Sequence, residues 1–158
     1  MSNFQKWSMF LLRITTGWFF FYAGITKILN PEWSAAKYLG AAKTFTGFYQ
    51  WLASDGMIGF INFINEWGLL LIGVALILGI GVRLAGILGA ILMVLYYFPV
   101  LDFPKAGDHG FLVDDHILWA AGLLTLASWQ AGRVWGLESW CSNLPICAKF
   151  PKLRSWLG

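Results

Sequence analysis

Asn65-Glu66-Trp67-Gly68-Leu69-Leu70-Leu71-Ile72-Gly73-Val74-Ala75-Leu76-Ile77-Leu78-Gly79 is an apolar run with a carboxylate at its head. In a soluble protein it would be a buried helix with a polar start. The rest of the chain argues for a different solvent. Of its 158 residues, 58% are hydrophobic and 12% charged, where soluble domains carry roughly 25% charged residues. The expected solvent is lipid, in which backbone groups are satisfied internally, so the run is expected to be a membrane-spanning helix. Started near Met57, that helix carries Glu66 well inside the hydrocarbon. An ionisable group at that depth is costly, and it is a functional candidate whose partner has to be found.

Working outward gives the remaining spans. An apolar run over about 7–29 is interrupted by Arg13 and ends at Asn30-Pro31, because the residue before a proline is pushed out of the helical region. It is too long and too aromatic for a signal peptide, and Lys27 stands where a cleavage site would be. Further spans are expected at about 57–80, 84–101 and 114–131. Between the first two, Ala35, Leu39, Ala42, Phe45, Tyr49 and Leu52 recur at helical spacing, with Lys37 and Lys43 on the other side. Residues 33–53 are therefore expected to form one amphipathic helix lying in the interface. The loop from 102 to 113 is polar and acidic. The tail, 134–158, mixes Trp135, Trp140 and Trp156 with Lys149, Lys152 and Arg154, an interfacial composition.

The expected architecture is thus an all-α integral membrane four-helix bundle with an additional amphipathic interfacial helix between spans 1 and 2, in one membrane domain over residues 1–158. Lys6, Arg13, Arg83, Arg133 and the basic tail fall on one side, which puts both termini of a multi-pass cell-membrane protein in the cytoplasm. The net charge of +3 calls for no nucleic-acid partner, since most basic residues stand beside apolar runs.

Helix direction decides which charges meet. Span 1 runs outward and ends near Lys27; spans 2 and 4 run inward and carry Glu66 and Asp114-Asp115-His116 in their outer halves. Lys27, Glu66, Asp115 and His116 are expected at one level, in a polar pocket walled by aromatic rings. A lysine beside carboxylates in a dry site is a mutual neutraliser. The plainer readings are that Lys27 snorkels to the headgroups and that the two aspartates complement the helix dipole. Arg13 is expected in the inner half, where Glu138 is the one available carboxylate.

The two histidines, His109 and His116, come from one short segment, so neither haem nor a metal site is expected. Cys141 and Cys147 cannot complete a structural zinc site without other ligands. They read as small residues on an interfacial tail, with a redox pair as the alternative.

Leu12-Arg13-Ile14-Thr15-Thr16-Gly17-Trp18-Phe19-Phe20-Phe21-Tyr22-Ala23-Gly24-Ile25-Thr26-Lys27 resembles the opening motif of DoxX/DoxD membrane proteins. Residues 30–39 resemble the segment that follows in DoxD-like members. Trp67 to Gly73 with Leu78 to Arg83 resembles their second helix and turn, and Val113-Asp114-Asp115-His116-Ile117 the start of their fourth. The resemblance spans about residues 8–132. It implies a four-helix membrane bundle, a quinone acceptor, and thiosulfate oxidised to tetrathionate. On the topological argument, Glu66, Asp115 and His116 are the expected proton-handling catalytic residues, and Lys27, Arg13 and Trp67 the expected substrate-binding residues. The expected partners are the lipid bilayer, a quinone, and a second membrane subunit or further copy of the chain. The competing reading is a non-catalytic membrane scaffold or small-molecule carrier, with the charged cluster as structural glue.

Overall fold

A computed structural model describes residues 1–107 and 110–141. His109, Cys147 and the basic tail residues Lys149, Lys152 and Arg154 lie outside the described residues. The long helices are α1 (Asn3–Ile28), α4 (Ile58–Leu78) and α5 (Val82–Val100). All three are long and apolar enough to cross a membrane. Trp18, Tyr22, Phe60, Phe63, Leu71 and Ile91 are exposed along them, a surface suited to acyl chains rather than water. The fourth long element, α6 (Asp115–Ser128), has 14 residues and is about 21 Å long, short of the roughly 30 Å of a hydrocarbon core.

These four helices pack as two close pairs. In α1 against α4, a side chain at Gly24 would sit inside the backbone of Leu70, and one at Gly73 inside the backbone of Phe21. Small residues let the two backbones touch, which replaces the hydrophobic driving force that lipid cannot supply. Gly86 plays the same part in α5, against the backbone of Leu123 and Ala127 of α6, and Gly89 makes room for the Leu123 side chain. Phe20, Leu69, Ile72, Leu76, Val82, Met93, Leu123 and Leu126 fill the core shared by both pairs.

One end of α4 is closed by Arg13. A helix leaves its last carbonyls without intrahelical partners, and at this end each is accounted for. The N–H groups of Gly79 (φ 68°) and Ile80 reach the Ala75 carbonyl at 2.9 and 3.0 Å. Arg13 Nη1 donates to the carbonyls of Leu76 at 2.8 Å and Ile77 at 3.2 Å, and the N–H of Leu137 donates to Leu78 at 3.0 Å. Arg13 Nη2 donates to Val134 and Trp135, each at 3.2 Å. The side chain is 0% exposed. Glu138, on the short helix α7 (Glu138–Cys141), is buried nearby against Gly132 and Val82. Burial pushes its carboxyl up; Arg133, the Val82 N–H and Arg13 pull it the other way. Glu138, the one carboxylate the sequence offers near Arg13, is therefore close enough to act on it.

The segment between α1 and α4 departs from expectation. In place of one helix over 33–53 it forms α2 (Ala36–Gly40) and α3 (Thr46–Leu52), separated by a break in which Phe45 has φ 53°. The break is set by the end of α5. Pro99 lies inside that helix and has no N–H, which leaves the Leu95 carbonyl without its donor. The Tyr49 hydroxyl supplies one at 2.8 Å. Lys43 N–H donates to the Pro99 carbonyl at 3.0 Å and Thr44 Oγ1 to the Leu101 carbonyl at 2.6 Å. A straight helix could not turn those donors toward α5. Ala35, Leu39, Ala42 and Tyr49 form a second small core beneath the cap.

The polar, acidic segment after α5 forms a three-stranded antiparallel sheet of β1 (Leu101–Asp102), β2 (Lys105–Ala106) and β3 (Gly110–Phe111). The Tyr97 hydroxyl holds it to α5 by donating to the Leu112 carbonyl at 2.6 Å.

Arg13→Leu should cost about 3–5 kcal/mol, because it strips donors from buried carbonyls and removes a buried cation that acts on Glu138. Arg13→Lys should recover only part of this, since one ammonium cannot span both carbonyl pairs. Thermal unfolding in detergent measures both; a wild-type midpoint in Arg13→Leu would refute the closure. Tyr49→Phe should cost about 1–3 kcal/mol by orphaning the Leu95 carbonyl, read by the same assay.

Candidate functional site

The two helix pairs meet loosely where α1 faces α6, and a cavity of about 640 Å³ opens there. Thr16, Phe19, Ala23 and Lys27 form the α1 wall, and Asp115, His116, Leu118 and Trp119 the α6 wall; Leu69, Met93 and Tyr96 form the floor. Phe19 stacks on Trp119 across the seam, with ring centres 4.5 Å apart and planes 12° from parallel. A smaller cavity of about 300 Å³ lies beneath α2, lined by Trp33, Tyr38 and Asn65 among others. Lys27, Tyr96 and His116 belong to both cavities.

His116 is oriented by the start of its own helix. Asp114 is the N-cap of α6, and its Oδ1 accepts from the Ile117 N–H at 3.2 Å. Its Oδ2 lies 2.5 Å from His116 Nδ1. One carboxylate thus caps the helix and holds the imidazole. With Nδ1 directed to Asp114, Nε2 is the ring nitrogen left for a ligand; in the neutral ring it accepts a hydrogen bond, and protonated it donates one. Tyr96 meets the His116 ring edge-on, with centres 5.8 Å apart. Its hydroxyl donates to Asn65 Oδ1, while Asn65 Nδ2 donates to the Ile61 carbonyl at 2.8 Å. The Tyr38 hydroxyl donates to the Tyr96 carbonyl at 2.5 Å, so the floor of the site is pinned from α4 and from the cap.

Lys27 turns back along α1. Its Nζ donates to the Ala23 carbonyl at 3.1 Å and lies 5.2 Å from the centre of the Trp33 ring. A carbonyl and an aromatic face thus stabilise the ammonium, with N–H groups to spare for a ligand.

Of the residues expected here, Lys27, Asp115 and His116 come together. Glu66 does not join them: it is half-buried, lines neither cavity, and makes no ion pair with Lys27. The inward stripe of α4 is Asn65, Leu69, Ile72 and Leu76, and the next residue along a helix points about 100° away. Asn65 takes the place assigned to Glu66. Trp67 is 43% exposed and sits beside Phe63, off the cavity. Arg13 is buried and committed to backbone carbonyls, away from the cavity.

The sequence places Asp114 at the outer start of span 4 beside Asp115 and His116 but does not name it as the partner of His116, although the Asp-x-His spacing at a helix start is a usable signal. Tyr96 and Asn65 gave no such signal, because their pairing depends on how α4 packs on α5.

The arrangement offers a polar head, with an oriented imidazole and an ammonium, above an apolar groove closed by two stacked rings. It suits a flat molecule with hydrogen-bond acceptors at its edge.

A family model described as DoxX matches residues 8–101, a stretch that includes Lys27, Asn65 and Tyr96 and ends before Asp114. No curated protein and no solved structure matches the chain.

Burial, with help from Asp114 and Tyr49, pushes the Tyr38 phenol from 10.0 up to about 12. A group raised on folding contributes stability in full below its unfolded value, and loses it as pH rises through the folded one. The hold of Tyr38 on the Tyr96 carbonyl should therefore persist to about pH 10 and fail toward about pH 12. Near-ultraviolet circular dichroism should show a change across that window that is weaker in Tyr38→Phe. Identical titrations would contradict it.

Proposed function

The chain belongs to the DoxX family, and from that premise we propose that it binds a membrane quinone between α1 and α6. In this reading it is the quinone-handling membrane unit of an oxidoreductase of sulfur compounds. The observation that supports it is the cavity in which the Asp114–His116 pair, Lys27 and Tyr96 meet the Phe19–Trp119 stack. Two thiosulfates joining through one new sulfur–sulfur bond release two electrons and give tetrathionate. The quinone takes those electrons and two protons and becomes the quinol.

Each residue has a part in that reaction. His116 Nε2 hands a proton to the ring oxygen, and Asp114 stabilises the imidazolium before transfer. Asp115, exposed on the cavity wall, exchanges protons with the aqueous side. Lys27 stabilises the charge that develops on the reduced oxygen. The sulfur donor reaches the site directly or through a partner subunit. We also propose that α6 completes a fourth crossing together with its flanking turns, and that both termini face the cytoplasm. The basic residues Lys6, Arg13, Arg83 and Arg133 favour that orientation.

The purified chain, given thiosulfate and a soluble quinone, should reduce the quinone. His116→Ala should lower the rate by about a hundredfold or more, the usual contribution of a positioned acid–base group. A chain that neither turns over nor binds quinone would favour the scaffold reading instead. A cysteine introduced in the 102–113 loop should be labelled from outside intact cells, and protection there would reverse the orientation.

A further inference from the structure

Thr16 carries a polar group that the reaction above leaves unused. It lines the main cavity and is fully buried, and its Oγ1 makes no hydrogen bond among the described residues. A threonine in a helix commonly bonds back to a carbonyl one turn earlier. The other threonines of α1 and α6 do so: Thr15 to Leu11 at 2.8 Å, Thr26 to Tyr22 at 2.8 Å, and Thr125 to Ala121 at 2.9 Å. A buried hydroxyl without a partner is costly and rare, and this one stands at a cavity wall.

Its position along the groove fits a ligand contact. Lys27 Nζ is held at the level of the Ala23 carbonyl. Thr16 lies seven residues earlier on α1, about 10 Å along the axis. An aromatic ring with an oxygen at each end, plus a hydrogen bond of about 2.8 Å to each, bridges such a span. Beyond Thr16 the groove continues. Leu12 lines the main cavity and also an apolar cavity of about 360 Å³, walled by Phe4, Met9 and Trp129.

We infer that Thr16 is the second anchor of the bound quinone. The ring lies lengthwise in the groove, with one oxygen at His116 and Lys27 and the other accepting from the Thr16 hydroxyl. The tail, attached beside that second oxygen, leaves past Leu12 into the apolar cavity. The inference rests on the quinone reading above and adds the orientation and the requirement for a second oxygen.

Two quinones with the same ring, one carrying a decyl tail and one a methyl, serve as probes of the purified full chain in detergent. Tryptophan fluorescence reports binding. Thr16→Val should weaken both by about three- to tenfold, the value of one neutral hydrogen bond, and Thr16→Ser should restore them. Without ligand, Thr16→Val should unfold at the wild-type temperature or above it, because it removes an unbonded hydroxyl. Leu12→Trp should weaken the decyl quinone alone. If His116→Ala weakens binding and Thr16→Val does not, the anchor is refuted while the head site stands. If neither variant weakens binding, or the wild type binds neither probe, the quinone reading itself fails. A Thr16→Val protein less stable without ligand would make Thr16 structural and overturn the proposal. Leu12→Trp affecting both probes alike, or neither, would overturn the path of the tail.

Discussion

A guanidinium with no exposed surface, set among carbonyls at a helix end, is the constraint on which the rest of the structure depends. Moving a charge into a dry interior costs several kcal/mol unless neighbours stabilise it. Arg13 obtains that stabilisation in three ways. It lies at the negative end of the α4 dipole, donates to four carbonyls from two chain segments, and has Glu138 as a neighbouring countercharge. One side chain therefore fixes the α1–α4 register and ties the turn after α6 to both. Trp135 extends the joint by packing on Trp7 and Phe10 with ring centres 4.6 and 5.5 Å apart. Gly79 is required twice over, by its positive φ and because a side chain there would displace the guanidinium.

The same logic governs the far end of α5. Lipid offers no donor to a stray carbonyl, so each broken helical bond must be replaced from within. Pro99 breaks one, and Tyr49, Thr44 and Lys43 close that end. The cap is thus more than a surface decoration: it satisfies α5, and through Tyr38 it holds Tyr96 in the floor of the cavity.

That dependence explains what was legible in the sequence. α1, α4 and α5 were visible as long apolar runs. Lys27, Asp115 and His116 could be brought together from helix direction alone, because direction depends only on the order of spans. Glu66 failed because it needed the rotation of α4, and a helix this uniformly apolar does not declare its inward face. Asn65, one position earlier, had no charge to draw notice. The break between α2 and α3 was hidden because regular spacing suggested one helix, whereas hydrogen bonds to distant carbonyls of α5 decided the path. The Thr16 hydroxyl is anomalous only beside Thr15, Thr26 and Thr125, and that contrast exists only in coordinates.

The cavity's place between α1 and α6 follows from how unequally the helices are joined. Backbone contacts at Gly24 and Gly73 lock α1 to α4, and Gly86 and Gly89 lock α5 to α6. Separating either pair would expose main chain and lose close packing over a long interface. The α1–α6 seam is held more lightly, with one aromatic stack across it, and such a pair contributes about 0.5–1.5 kcal/mol beyond its area burial. In the proposed function a flat ligand would therefore enter from the bilayer by parting Phe19 from Trp119 while both helix pairs stay intact. Its polar edge would then meet His116 and Lys27, whose positions are set by Asp114 and by Ala23 with Trp33. Each rigid pair holds its own half of the head site, Lys27 on α1 and His116 on α6, and in the proposed function the weak seam between them would be the way in from lipid.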